Sequence, residues 1–182
     1  MAQNPHPRAV FLLGFMGAGK TSVGEALARR LGWHFVDLDR RIELQEGRTV
    51  AEIFSSSGED AFRSIETAVL HELLAQLDQG QRMVVALGGG TPVREGNAAL
   101  MASCGVPQVF LDAPFEVLCR RCGQAIGARP LFRNKEQALR LYESRRQYYL
   151  KAQLRVDTAS RSVEQAAAEI ASALSLEPTG EP

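Results

Sequence analysis

Gly14-Phe15-Met16-Gly17-Ala18-Gly19-Lys20-Thr21 fits the pattern G-x-x-x-x-G-K-[ST] of a phosphate-binding loop. Its setting makes the match informative. An apolar run, Ala9-Val10-Phe11-Leu12-Leu13, leads in like a buried strand, and Ser22 to Leu31 lead out with the periodicity of a helix. The glycines let the backbone turn tightly with no side chain in the way, so several N–H groups can point inward at a polyphosphate. The N-terminus of the following helix adds partial positive charge. Lys20 supplies a full charge for the outer phosphates, and the Thr21 hydroxyl can join a magnesium shell. Gly14, Gly17, Ala18, Gly19, Lys20 and Thr21 are therefore the candidate nucleotide-binding set.

Outward from this loop, strand-like and helix-like segments alternate, which implies an α/β fold with a parallel sheet flanked by helices. Strands are predicted at Ala9 to Leu13, Trp33 to Asp37, Met83 to Leu87, Gln108 to Leu111 and Leu154 to Asp157. Helices are predicted at Lys20 to Leu31, Gly58 to Leu77, Asn97 to Ala102, Pro114 to Cys122, Lys135 to Lys151 and Val163 to Leu174. The 182 residues read as one domain, with a tail from Glu177 to Pro182 expected to fray. Two segments stand outside the alternation. Asp39 to Ser57 is helical in pattern with Gly47 as a break, and suggests a small substrate-binding lobe over about 38–67. Residues 123–134 combine glycines with Arg129, Pro130 and Arg133 and lack apolar periodicity, the composition of a lid beside a phosphate site.

Composition narrows the classes. Lys plus Arg and Asp plus Glu number 21 each, so no dominant nucleic-acid-binding face is expected. No apolar stretch approaches the length of a membrane span. Met1 to Arg8 carry no apolar core and do not read as a signal peptide. An odd cysteine count, Cys104, Cys119 and Cys122, then fits a reducing cytoplasm. Cys119-Arg120-Arg121-Cys122 matches C-x-x-C, but no second pair of ligands accompanies it, so it reads as two cysteines one helical turn apart.

Five further groups carry chemistry. Asp37-Leu38-Asp39 ends the second predicted strand, and alternation in an extended segment would put both carboxylates on one side, facing the crevice beyond the strand ends. One can help hold magnesium and the other can take a proton from an attacking hydroxyl, or one can cap the next helix. Arg63 and Glu66 lie three apart on one helix face, either as a surface ion pair or as a carboxylate orienting a guanidinium fork for a substrate anion. Gly88-Gly89-Gly90 follows a strand directly, which implies close approach of backbone to a ligand. Arg129 in the presumed lid could neutralise charge on a transferred phosphoryl group. An arginine of the following helix, among Arg140, Arg145 and Arg146, could share a substrate anion with Arg63; spacing does not choose among the three.

Together these segments resemble shikimate kinase, from about Val10 to Leu174. The resemblance is carried by Gly14 to Thr21, Asp37 to Glu43, Gly47 to Phe54, Gly58-Glu59 with Phe62-Arg63 and Glu66, Gly88 to Gly90, Arg129-Pro130-Leu131, and Arg145 four before Tyr149. It implies a P-loop kinase fold with a five-stranded parallel sheet, a substrate lobe and a closing lid. It also implies transfer of phosphate from ATP, with Mg2+, to the 3-hydroxyl of shikimate in aromatic amino-acid biosynthesis. Lys20 and the loop backbone would bind the phosphates, and Thr21 and Asp37 would serve the metal. Asp39 would hold the shikimate hydroxyls and take the proton. Arg63 and Arg145 would grip the carboxylate, Gly88, Gly89 and Gly90 would line the ring pocket, Glu66 would support Arg63, and Arg129 would reach the transferring phosphate. A cytoplasmic monomer is expected. The chain departs from the family pattern before Arg129, where a basic run is replaced by Gly123-Gln124-Ala125-Ile126-Gly127-Ala128, and before Tyr149, where Arg146-Gln147-Tyr148 replaces a Pro-containing segment. Arg121, with Arg120 beside it, is the candidate for stacking on adenine. The competing readings are a gluconate or nucleoside monophosphate kinase, which has no need of two arginines for a ring carboxylate, and a nucleotide-binding switch, which needs no acceptor pocket.

Overall fold

The computed structural model describes residues 7–123 and 135–179. Five strands, β1 (Ala9–Leu13), β2 (His34–Asp37), β3 (Met83–Ala86), β4 (Gln108–Asp112) and β5 (Leu154–Asp157), form one sheet in the order β2-β3-β1-β4-β5, and every neighbouring pair is parallel. The strands are short and apolar because helices cover them: all of β1 and β3 is buried. From β1 the chain runs to β2 and β3 on one side, then returns to β4 and β5 on the other. The C-terminal end of β1 is thus the point where the winding reverses, where open α/β sheets bind ligands.

Seven helices are present among the described residues: α1 (Lys20–Leu31), α2 (Leu38–Glu46), α3 (Val50–Asp78), α4 (Glu95–Ser103), α5 (Phe115–Cys122), α6 (Lys135–Tyr149) and α7 (Val163–Ala173). A 3-10 turn, Thr91–Val93, follows the triple glycine. α1 ends on Gly32, whose N–H returns to the Ala28 and Arg29 carbonyls, and it packs against α7. α2 ends on Gly47 in the left-handed conformation (φ 63°), and α3 starts at once from a reciprocal capping box between Thr49 and Glu52. The separate helix expected from Gly58 is instead the second half of α3. Gly58 adopts φ 83° and ψ 175°, so the two halves are continuous in sequence and kinked in direction. The region expected as a lobe, about 38–67, takes in α2, the first half of α3 and the start of its second half, with Gly47 between the two helices and Gly58 at the kink.

At the C-terminus, the tail expected to fray from Glu177 is held further than composition suggested. Thr179 donates through its N–H to Leu31 O at 2.8 Å and its hydroxyl lies 2.9 Å from Gly32 O. Residues 180–182, and the expected lid from 124 to 134 with Arg129, lie outside the described residues. Among the described residues no helix is long and apolar enough to cross a membrane.

Candidate active site

The phosphate end is built almost wholly from backbone. Gly14 sits at φ 148°, and a Cβ there would stand 2.7 Å from the Leu111 carbonyl oxygen of β4, so the loop lies this close to the sheet only as glycine. No side chain caps α1, whose N-cap is Gly19, which leaves its first N–H groups for a ligand. Lys20 folds back along the loop, its Nζ donating to Gly14 O at 2.9 Å and Phe15 O at 3.2 Å. Thr21 Oγ1 donates to Asp37 Oδ2 at 3.0 Å. A hydroxyl beside one carboxylate is a set of hard oxygen donors that suits Mg2+, which keeps several waters and leans on substrate phosphates. No cluster of three or more His, Cys, Asp or Glu that could hold a metal ion occurs among the described residues.

Beside the loop lies a cavity of about 350 Å³ lined by Gly17, Ala18, Gly19, Arg121, Thr158 and Val163. Arg121, not Arg120, faces it: Arg121 Nη1 donates to Gly17 O at 3.4 Å, and Nη2 to Thr158 O at 2.5 Å. The Thr158 hydroxyl reaches Ala18 O at 3.1 Å. Cys119 and Cys122 lie on α5 and form no disulfide, as the isolated C-x-x-C implied. Burial pushes the Cys119 thiol up, away from the reactive thiolate.

The acid pair is arranged differently from the alternation argument. Asp37 is extended (φ −95°, ψ 118°) and is itself the N-cap of α2, its Oδ1 accepting from the Arg40 N–H at 3.3 Å. Asp39 therefore belongs to the first helical turn, not to a strand. Three residues are too few to separate a period of 2 from one of 3.6, and the helix begins one residue earlier than expected. The two carboxylates still serve one crevice, Asp37 toward Thr21 and Asp39 toward Gly88, where a Cβ would stand 2.9 Å from Asp39 Oδ1.

The triple glycine is where distant elements meet. A Cβ on Gly88 would also stand 2.9 Å from Glu66 Oε1, one on Gly89 3.1 Å from Arg145 Nη1, and one on Gly90 2.5 Å from Arg63 Nη2. Absent side chains here let two guanidinium groups and two carboxylates close over the backbone. Arg63 and Glu66 are not a surface pair: the Arg63 side chain is 12% exposed and that of Glu66 0%. Glu66 Oε2 accepts from Arg63 Nη1 at 3.0 Å while Oε1 accepts from the Thr91 hydroxyl at 2.7 Å, so both oxygens of the buried carboxylate are engaged. Glu59 takes Arg63 Nη2 at 3.1 Å from the solvent side.

On α6 the three candidate arginines separate. Arg140 pairs with Glu136 at 2.6 Å in solvent. Arg146 Nη2 reaches Asp112 Oδ2 at 2.9 Å. Arg145 turns to Gly89. Burial pushes the Arg145 guanidinium below the usual arginine range; Tyr149 opposes that and the nearby Arg63 adds to it. Two like charges held close, with one desolvated, form a site that an anion relieves. Tyr149 donates to Gly89 O at 2.6 Å, and burial pushes its pKa up to about 12, so it stays protonated. Tyr149 was readable only as a spacing mark, and Thr91, Thr158 and Asp112 were missed, while Glu59 was quoted with the family segments but given no role. Thr91 follows the triple glycine directly and Glu59 lies four before Arg63 on one helix face, whereas Thr158 and Asp112 carry no local signal.

A parallel sheet in this order, with a phosphate loop on the strand where the winding reverses and an acceptor crevice opposite, defines a P-loop kinase. A family model described as shikimate kinase matches residues 16–175. A shikimate kinase of Geobacter metallireducens is 42% identical over 166 residues, covering 90% of this chain and 89% of that one. Two solved structures agree. A shikimate kinase from Acinetobacter baumannii in complex with shikimate has a TM-score of 0.84 at 32% identity, covering 93% of this chain and 94% of the other. The enzyme from Aquifex aeolicus has a TM-score of 0.79 at 34% identity, covering 92% and 96%. The chain belongs to the shikimate kinase family, and it uses ATP as members of that family do.

Proposed function

We propose that this chain transfers the terminal phosphoryl group of ATP to the 3-hydroxyl of shikimate. The observation that carries the reading is the convergence on Gly88-Gly89-Gly90 of Asp39, Arg63 and Arg145, from three separate helices, at the same sheet edge as the phosphate loop. A small triol acid needs a cationic fork for its carboxylate and an acceptor for its hydroxyls, and this crevice offers both. Neither a gluconate kinase, a nucleoside monophosphate kinase nor a switch accounts for two guanidinium groups facing one glycine turn.

Lys20 and the amides of Gly17 and Gly19 hold the phosphates, with Gly14 and Ala18 setting the path of the loop. Thr21 and Asp37 would hold Mg2+, which screens phosphate charge when bound. Arg63 and Arg145 grip the carboxylate, Glu66 fixes Arg63, and the bare backbone of the glycine turn lets the ring approach. Asp39 orients the hydroxyl and accepts its proton; phosphoryl transfer asks for positioning and charge neutralisation and little covalent work. Arg121 borders the adenine cavity, and Arg129 is proposed to reach the transferring phosphate from the lid. All these groups come from one chain, so a cytoplasmic monomer suffices. The test is ADP release in the presence of magnesium: it should depend on shikimate and not on gluconate or nucleoside monophosphates. Equal release with those acceptors would refute the reading.

A further inference from the structure

We propose that Asp112, at the C-terminal end of β4, is a positioning residue that decides which arginine of α6 faces the substrate. The proposal rests on the reading of Arg145 as a carboxylate ligand. On α6, Tyr142, Arg145, Arg146 and Tyr149 fall at i, i+3, i+4 and i+7 and so share the face turned to the sheet. Arg145 and Arg146 are neighbours on that face, and either guanidinium has the chemistry to take a carboxylate. Asp112 removes one of them from the competition. Its Oδ2 holds Arg146 Nη2 at 2.9 Å and Arg155 Nη2 at 2.8 Å, and its own side chain is only 6% exposed. The acid cannot follow the helix, because its carbonyl is tied to the Thr158 N–H at 2.9 Å and β4 is paired on both sides.

The consequence is rotational. With Arg146 held on β4, Tyr142 donating to Ala113 O at 3.3 Å and Tyr149 to Gly89 O, α6 has three fixed points along one face. Arg145, between them, is turned to the glycine turn, where it also meets Tyr149. Without Asp112, Arg146 keeps its contact with Tyr142 but loses its carboxylate partner, so its charge is no longer neutralised beside Arg145 and the helix loses its tie to β4 at this point.

Asp112→Asn is suited to the test, because its partners Arg146 and Arg155 are 32% and 61% exposed and regain water when released. Asp112→Asn and Arg146→Ala should each raise the shikimate KM about tenfold, the effect of a misaligned rather than a missing charged hydrogen bond, with the ATP KM within about twofold of the parent. Arg146→Lys should recover most of that loss. Arg155→Ala, which leaves Arg146 in place, should change neither KM by more than about twofold. If Asp112→Asn and Arg146→Ala lower thermal stability while the shikimate KM stays put, the acid is merely structural and the proposal is overturned. Arg145→Ala separates the two levels. A parental shikimate KM in that variant removes the carboxylate grip itself, whereas a raised KM there beside unchanged values for Asp112→Asn and Arg146→Ala overturns only the positioning role.

Discussion

The two ends of the crevice are made by opposite means. The phosphate end is local: eight consecutive residues, mostly backbone, with Gly14 pressed against β4 and Lys20 folded onto its own loop. The acceptor end is assembled at long range. Asp39 comes from α2, Arg63 and Glu66 from α3, Arg145 from α6, and they meet over a glycine turn between β3 and the 3-10 turn. Polyphosphate recognition needs many fixed N–H dipoles, which one turn supplies. A small carbocycle needs unlike groups several ångströms apart, which only tertiary structure supplies. Substitutions should therefore divide cleanly by end, and each prediction below could break that division.

The largest effect is expected from Asp39→Asn. On the role proposed for Asp39 as proton acceptor, its loss should slow single-turnover transfer about a thousandfold while ATP affinity, set at the other end, stays within about twofold. Comparable turnover in the mutant would remove Asp39 from the chemistry. Next is Arg63→Ala. A charge-assisted hydrogen bond to a carboxylate is worth about 2 kcal/mol, so the shikimate KM should rise about thirtyfold with little change for ATP. Equal rises in both KM values would mean that the ends are coupled and that the division is wrong.

Thr158→Val probes the local end from outside it. The hydroxyl bonds Ala18 O, and its loss should raise the ATP KM a few-fold, about 1 kcal/mol, and leave shikimate unaffected. A change in the shikimate KM instead would show that the loop communicates with the far pocket through β5. A last effect falls on stability and is confined to alkaline pH, outside the range in which the kinetic division is read. The folded pKa of Tyr149, about 12, lies above the ordinary 10, so the folded state holds this proton the more tightly. That contribution is present in full below pH 10 and is lost as pH rises from 10 to 12, a fall of about 3 kcal/mol. Denaturant unfolding across that range should show the fall in the parent and a flatter profile in Tyr149→Phe; identical profiles would mean that the phenol is not held as described.

The same division explains what was legible in the sequence. The strand, loop and helix around Gly14 to Thr21 were readable because their determinants are contiguous, and α1 runs from Lys20 to Leu31 as predicted. The sheet followed from apolar runs set between helical ones. At the acceptor end, residue types were readable but directions were not. Spacing left Arg140, Arg145 and Arg146 open because a helix face holds both i+3 and i+4, and what separates them is Asp112, 34 positions from Arg146. The partner of Glu66 was legible three residues away in Arg63, but its burial, and the second claim on it from Thr91, 25 positions on, were not. Asp37 and Asp39 were read as one strand face, with a helix cap as the alternative for one of them; the cap is Asp37, but an Asp at either position suits a cap, so three residues did not fix where the helix begins.

Thr158 also makes the cavity beside the phosphate loop depend on residues far apart in the chain. Its hydroxyl meets Ala18 O, 140 positions earlier, and its carbonyl receives Arg121. One wall of the cavity beside the glycine loop is therefore a residue that directly follows the fifth strand. A chain cut before that strand would carry the motif without this wall, and nucleotide should be held there more weakly.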